Sequence, residues 1–257
     1  MPNSKINIKQ IISKFRPASL KELENLSLLE RFDTKYIIPI DLLDEILTKF
    51  LECYFILEID GIREFEYFNQ YFDTASYLFY TNHHNGKLNR MKIRYRNYKD
   101  TGAAFLEIKR NINNETKKER IPYSNDSYAL NSEAVELINS TNEVLSKDLL
   151  PKLQVSYRRI TLLNPITKDK ITIDRNLYFK NTIHDYTLNE VALIEVKTKK
   201  QSQMPFPIKV LKDMMIRSTS VSKYCLGLVL TRSEVKYNRF KKNVLLINNI
   251  LRTNYGL

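Results

Sequence analysis

Between Arg90 and Tyr98 the chain alternates strictly, with Arg90, Lys92, Arg94 and Arg96 on one parity and Met91, Ile93 and Tyr95 on the other. Side chains alternate across a strand, so this predicts a strand with cations about 7 Å apart on one face and an apolar anchor on the other. The period recurs. Residues 105–109 set Glu107 and Lys109 opposite Leu106 and Ile108, and residues 171–174 set Thr172 and Asp174 opposite Ile171 and Ile173. Residues 193–197 set Glu195 and Lys197 opposite Ile194 and Val196, and Arg31, Asp33 and Lys35 share one parity just before Tyr36. A solvated antiparallel face gives the same alternation. Four like charges on one ladder repel one another, however, and their recurrence beside acids in other segments points to a shared face built for an anion. If these strands form one closed sheet with the charged face inward, the interior is a polar tunnel suited to phosphate with a divalent metal.

Longer periods predict helices. Residues 6–30 read as short N-terminal helices interrupted at Pro17, and Asp41 as the cap of a helix carrying Leu42, Leu43, Ile46, Leu47 and Phe50. Strands are expected from there to about residue 121, again over 153–186 with a hairpin turn at Asn164-Pro165, and over 191–197. A weaker helical pattern spans 131–147, and another follows Pro205 and Pro207. The chain ends in an amphipathic helix at about 237–252, with Phe240, Val244, Ile247 and Leu251 on one face and Arg239, Lys241 and Lys242 clustered at its start. A helix this short with so few cations binds membranes weakly, so its apolar face is expected to pack on the protein. The class is α+β, one domain over 1–257, with helices outside a mostly antiparallel barrel.

Composition narrows the chemistry. With 257 residues, 43% of them hydrophobic, the chain can bury a substantial core. None of the five glycines lies in a strand-to-helix phosphate loop, which disfavours Rossmann and P-loop folds. A net charge of +12 calls for an anionic partner, without choosing among nucleic acid, nucleotide, polyphosphate or membrane. Cys53 and Cys225 read as buried thiols, and with only three histidines a zinc site is disfavoured. The first residues lack a signal peptide's apolar core and no long apolar stretch follows, so a cytoplasmic chain is expected.

Taken in order, Arg31-Phe32-Asp33-Thr34-Lys35-Tyr36, Tyr71-Phe72-Asp73-Thr74, the His84-Asn85-Gly86 turn before the Arg90 ladder, Phe105-Leu106-Glu107-Ile108-Lys109 and Tyr157-Arg158-Arg159 form a series. It continues with Ile171-Thr172-Ile173-Asp174, Leu193-Ile194-Glu195-Val196-Lys197 and Ser222-Lys223-Tyr224-Cys225. Over residues 28–228 this series resembles the VTC domain, the polyphosphate polymerase domain of the triphosphate tunnel metalloenzyme (CYTH-like) superfamily. The resemblance implies a closed eight-stranded antiparallel β-barrel, the triphosphate tunnel, with flanking helices. It implies ATP or another nucleoside triphosphate and polyphosphate as ligands, and Mn2+ or Mg2+ as cofactor. A membrane-associated partner protein would accompany product export, and nucleic acid is not expected.

Carried over residue by residue, the resemblance makes Lys35 the tunnel lysine of the opening motif and Arg94 and Arg96 the phosphate clamp. Lys109, Arg159 and Lys223 complete the catalytic set, and Glu195 binds the metal. Arg31, Arg90, Lys92, Lys118, Arg120 and Lys197 are expected to line the substrate path. Arg158 and Arg159 have opposite parity, and only the resemblance selects Arg159. Glu107 could instead pair with Lys109 or a cross-strand arginine, Tyr71 and Tyr157 could be packing residues, and His83 and His84 exposed turn residues. The superfamily's hydrolase and cyclase branches open with Glu-x-Glu-x-Lys, whereas those positions here hold Arg31, Asp33 and Lys35. More cations and fewer carboxylates favour holding a long anion over activating water with two metals. The function implied is ATP-dependent transfer of the γ-phosphate to a polyphosphate chain. The alternatives are a triphosphate or short polyphosphate hydrolase, and a non-catalytic polyphosphate or inositol phosphate binder.

Overall fold

The computed structural model describes residues 8–24, 31–113, 115–123, 130–199, 203–231 and 235–255. At the N-terminus, α1 (Ile8–Ile12) and α2 (Leu20–Glu24) flank a short strand, β1 (Arg16–Ala18), at the position of Pro17. β2 (Arg31–Pro39) leads through a 3-10 turn into α3 (Leu43–Phe50), then β3 (Phe55–Leu57), β4 (Glu64–Thr74) and α4 (Leu78–His84). A meander of β5 (Arg90–Tyr98), β6 (Ala104–Ile112) and β7 (Glu115–Pro122) precedes α5 (Ser132–Asn139). β8 (Leu149–Leu163), β9 (Lys170–Lys180), β10 (Asp185–Leu188) and β11 (Val191–Lys199) follow, and α6 (Phe206–Asp213), α7 (Lys223–Thr231) and α8 (Lys241–Tyr255) end the chain.

Eight strands form a continuous antiparallel path in the order β2-β11-β9-β8-β4-β5-β6-β7, with β10 added to β9, β3 to β8 and β1 parallel to β3. The eight-stranded antiparallel sheet is present. Closure of the barrel is not: no ladder joins β2 to β7 among the described residues. Register places Lys35 beside Glu195, Asp33 beside Lys197, and Asp174 beside both Leu193 and Arg159. Further along it sets Tyr157 beside Tyr67, Arg96 beside Asn69, Tyr71 beside Arg94, and Arg94 beside Glu107. Directly opposed residues share a face, so the charged parity of every strand converges on one side of the sheet. That side is concave: in one short segment Ser222 accepts from Lys92 of β5 at 3.0 Å while Lys223 pairs with Asp174 of β9, although β8 and β4 lie between those two strands.

The apolar parity is buried outward in two clusters. Tyr36, Ile38, Ile171, Ile173, Ile194 and Val196 pack with α1, α3 and α6, while Met91, Ile93, Tyr95, Leu106 and Ile108 pack with α5. A third cluster occupies one end of the concave side itself. There Ile37, Leu153, Val155, Phe179 and Leu193 are covered by Tyr224, Leu226 and Leu228 of α7 and by Phe240, Ile247 and Ile250 of the C-terminal segment. Gly227 permits this approach, since a Cβ there would overlap Phe179 and Leu153.

Several local expectations change. Asp41 does not cap α3, which starts at Leu43, and the 131–147 pattern yields a helix only to Asn139. Neither α4 nor α7 is visible in periodicity; α7 is buried almost all round and carries no amphipathic stripe. His83 and His84 lie on α4 rather than in an exposed turn, with His84 buried, and Cys53 is exposed whereas Cys225 is buried. Among the described residues, no helix is long and apolar enough to cross a membrane.

Candidate functional site

Three carboxylates organise the concave face. Glu107, 2% exposed, accepts from Arg94 Nε at 2.7 Å and Nη2 at 2.6 Å, pairs with Lys118 Nζ at 2.9 Å, and has Arg96 Nη1 at 3.8 Å. Burial alone would raise its pKa; Arg94, Arg96 and Lys118 outweigh that and hold the carboxyl well below the usual range. Asp174 is clamped by Arg159, Nε at 2.5 Å and Nη2 at 2.8 Å, and by the Lys223 ammonium. Its pKa too is lowered against burial, chiefly by Arg159 and then Lys223. Glu195 pairs with Lys35 at 3.0 Å and Lys197 at 2.6 Å, and Lys197 bridges on to Asp33 at 2.8 Å. Lys197 and Lys35 depress the Glu195 carboxyl against burial.

Aromatic rings set the height of these cations. Tyr67 and Tyr157 stack at 5.2 Å, with the Arg159 guanidinium 4.9 Å and the Arg96 guanidinium 5.3 Å from the Tyr67 ring, and Lys223 4.8 Å from Tyr157. Such contacts hold a cation without neutralising it. Arg96 also donates to Asn69 Oδ1 at 2.9 Å and to the Tyr157 hydroxyl at 3.2 Å, and Arg94 donates to the Tyr71 hydroxyl at 3.1 Å. Burial would raise the Tyr157 phenol, but Arg159 and Arg96 pull its pKa below the ordinary value. Tyr71 and Tyr157 thus combine packing with direct contact to the arginines.

The expected site residues separate by environment. Lys35, Arg94, Arg96, Arg159, Lys118, Lys197 and Lys223 all lie on the carboxylates above. Lys92 donates to Ser222 Oγ at 3.0 Å, and its pKa is pushed down to about 8, by burial first and then by Lys109, Arg90 and Arg94. Among the described residues Arg90 reaches only the Lys87 carbonyl oxygen, at 3.1 Å, and Arg120 sits over the Phe105 ring at 4.9 Å. The Arg31 side chain lies outside the described residues. Arg158 points away from this face, toward Glu64 at 3.4 Å, so parity and structure agree on Arg159 as the inward arginine. Sequence reasoning missed Tyr67 and Asn69, which sit in a mixed apolar run, Glu64–Thr74, with no clean alternation. It also treated Glu107 and Asp174 as secondary, although they hold four of the six catalytic candidates.

Among the described residues, no group of three or more His, Cys, Asp or Glu side chains is placed to hold a metal ion. The carboxylates of Glu195 and Asp33 are hard oxygen donors joined through one lysine. One or two carboxylates are what Mg2+ takes from protein when phosphate oxygens and water complete its shell. The set therefore fits a metal that arrives with phosphate, and does not fit a protein-only cage.

A family model described as the VTC domain matches residues 30–232. No curated protein matches the sequence. The crystal structure of a proposed adenylate cyclase from Bacillus halodurans is similar with a TM-score of 0.52 at 10% identity, over 75% of this chain and 94% of that one. A proposed adenylyl cyclase from Hippeastrum, described as having dominant triphosphatase activity, aligns with a TM-score of 0.46 at 13% identity, over 81% of this chain and 100% of that one. A Pyrococcus horikoshii protein aligns at 0.44 and 16% identity, over 78% and 98%. The first likeness shows a shared fold.

Proposed function

This chain belongs to the VTC domain family, and from that premise we propose that it is an ATP-dependent polyphosphate polymerase working on its concave cationic face. In this reading the β2 and β7 edges complete a tunnel around the substrate. The observation that carries it is the state of the carboxylates: Glu107, Asp174 and Glu195 each hold at least two cations. None stands free as a base for water, whereas the cations they position are spread along the path of a linear anion.

Phosphoryl transfer needs the nucleophile, the γ-phosphoryl group and the leaving diphosphate in line, with their charge neutralised. Lys35, Arg94, Arg96 and Arg159 orient and neutralise the triphosphate, assisted by Lys109 and Lys223. Arg90, Lys92, Lys118, Arg120 and Lys197 line the path of the chain. Glu107 and Asp174 hold the arginines in their forks before the ligand arrives, which lowers the ordering cost of binding. Glu195 and Asp33 are the carboxylates that would hold Mn2+ or Mg2+, and Lys35 and Lys197 beside them are cations for the phosphate oxygens. When bound, the metal supplies further neutralisation of the phosphate oxygens. The attacking terminal phosphate oxygen is largely ionised near neutrality, so no side chain is required as a general base.

Electrophoresis of products formed from ATP and Mn2+, with and without a polyphosphate primer, tests this reading. Long chains are the expected product. Free phosphate alone would identify a hydrolase of the same fold, and anion binding without turnover would identify a binding module.

A further inference from the structure

One hydroxyl on the concave face is paired with an amine. Ser222, half-buried just before α7, accepts from Lys92 Nζ at 3.0 Å and, less closely, from the Cys225 backbone N–H at 3.4 Å. Its own hydrogen has no acceptor among the described residues, and Lys92 makes no ion pair among them. Capping the first turn of α7 accounts for a serine at this position. It does not account for the lysine brought to it from β5. Around Lys92 stand Arg90 and Arg94 of its own strand and Lys109 opposite it on β6, with His83 of α4 and Cys225 of α7 also near. Burial and these cations bring its pKa down to about 8, although the Cys225 thiol acts the other way, so some of the amine is neutral near pH 7. A neutral amine in this position accepts the hydroxyl hydrogen it faces, which is the arrangement of a hydroxyl nucleophile with its base.

The proposed site brings an electrophile to this pair. Arg94 lies one two-residue step along β5 from Lys92, about 7 Å, and Lys223, next in sequence to Ser222, pairs with Asp174 beside Arg159. We infer that Ser222 is a self-phosphorylation site: when no acceptor chain occupies the face, its Oγ attacks the γ-phosphorus of a bound nucleoside triphosphate and Lys92 takes the proton. The Oγ–phosphorus bond forms as the bond from that phosphorus to the oxygen bridging it to the β-phosphate breaks. The nucleoside diphosphate leaves with the electron pair, and the proton passes from Lys92 to solvent. A terminal phosphate oxygen needs no base whereas a serine hydroxyl does, and that is the chemistry Lys92 adds. The phosphoserine places about two negative charges beside Lys92 and the start of α7, where it competes with an incoming phosphate ligand. This rests on the proposed nucleoside triphosphate site and adds to it a covalent step that chain extension does not use.

The test is intact-chain and peptide mass spectrometry of the full protein, quenched in acid after incubation with ATP and Mn2+ without primer, for wild type, Ser222→Ala and Lys92→Arg. Electrophoresis of the same samples follows any chains made. Wild type should gain one phosphoryl group on Ser222, faster at pH 9 than at pH 7, and long-chain polyphosphate added first should suppress it. Ser222→Ala should gain none. Lys92→Arg keeps the charge but not the base, and should be modified about a hundredfold more slowly. If Lys92→Arg does not fold, the wild-type pH profile decides, and a flat profile overturns the role of Lys92. No phosphate on Ser222 in wild type, or an unchanged rate in Lys92→Arg, overturns the inference. Chains made without phosphoserine overturn it while leaving the polymerase reading standing, whereas phosphoserine without chains supports it and removes the polymerase reading.

Discussion

At Arg94 one side chain serves both folding and binding. It donates twice to Glu107, which is almost fully buried, and stands beside Tyr71 in the proposed phosphate path. Arg94→Gln should weaken tripolyphosphate binding by about 2 kcal/mol, the worth of a charge-assisted contact in a confined site. It should also destabilise the fold by about 1 to 3 kcal/mol, because Glu107 loses its best partner while remaining buried. Calorimetry and urea denaturation measure the two effects. The ladder taken alone reads as self-repulsive, which would make the substitution neutral or stabilising; Glu107, directly opposite on β6, reverses that sign. Glu195→Gln is a different case. Its pairs are partly exposed, so stability should change little, whereas turnover should collapse and metal-free phosphate binding should persist. Full activity in Glu195→Gln, measured with ATP and Mn2+, would move the metal-binding role elsewhere.

The strands that carry the site were legible because their faces are chemically unlike. A two-residue alternation of Arg with Met, Ile or Tyr states both the strand and its orientation, and Glu195 and Lys197 share their parity for the same reason. What closes one end of the face was not legible. Tyr224, Cys225, Leu226, Gly227 and Leu228 of α7 are all buried, so the helix has no polar side to set a period. α4 is fixed by a side chain outside it instead: Asp73, at the end of β4, accepts from the backbone of Phe79 at 2.9 Å and Tyr80 at 3.0 Å, and from the Tyr224 hydroxyl at 2.5 Å. The Tyr71-Phe72-Asp73-Thr74 motif therefore ties β4, α4 and α7 together, a role that spacing does not reveal. Gly227→Ala should cost about 1 to 3 kcal/mol by forcing Phe179 or Leu153 to move. Deletion of residues 234–257 should lower the melting temperature and promote self-association, because Phe240, Ile247 and Ile250 no longer cover the core. Circular dichroism and size-exclusion chromatography report both, and unchanged melting of the truncated chain would show that α8 contributes nothing to the core.

Across the whole molecule, a net charge of +12 is balanced locally by a few deeply placed carboxylates. Glu107 and Asp174 are buried carboxylates with lowered pKa values, so the stability they give is complete above the ordinary carboxylate range, about 4, and is lost as the pH falls below it. Thermal midpoints should be level from pH 7 down to about 5 and drop steeply beneath about 4. Phosphate binding should weaken as salt is raised, since partly exposed cations are screened. The concave face is proposed here as a phosphate site. It is tested most directly by calorimetric titration of tripolyphosphate into the metal-free wild-type chain and into Arg159→Gln, whose arginine joins Asp174 to the Tyr67–Tyr157 stack. Wild-type protein should show one saturable site whose affinity falls about tenfold or more in the variant; no saturable binding, or equal affinity in both proteins, would rule out a phosphate site on this face.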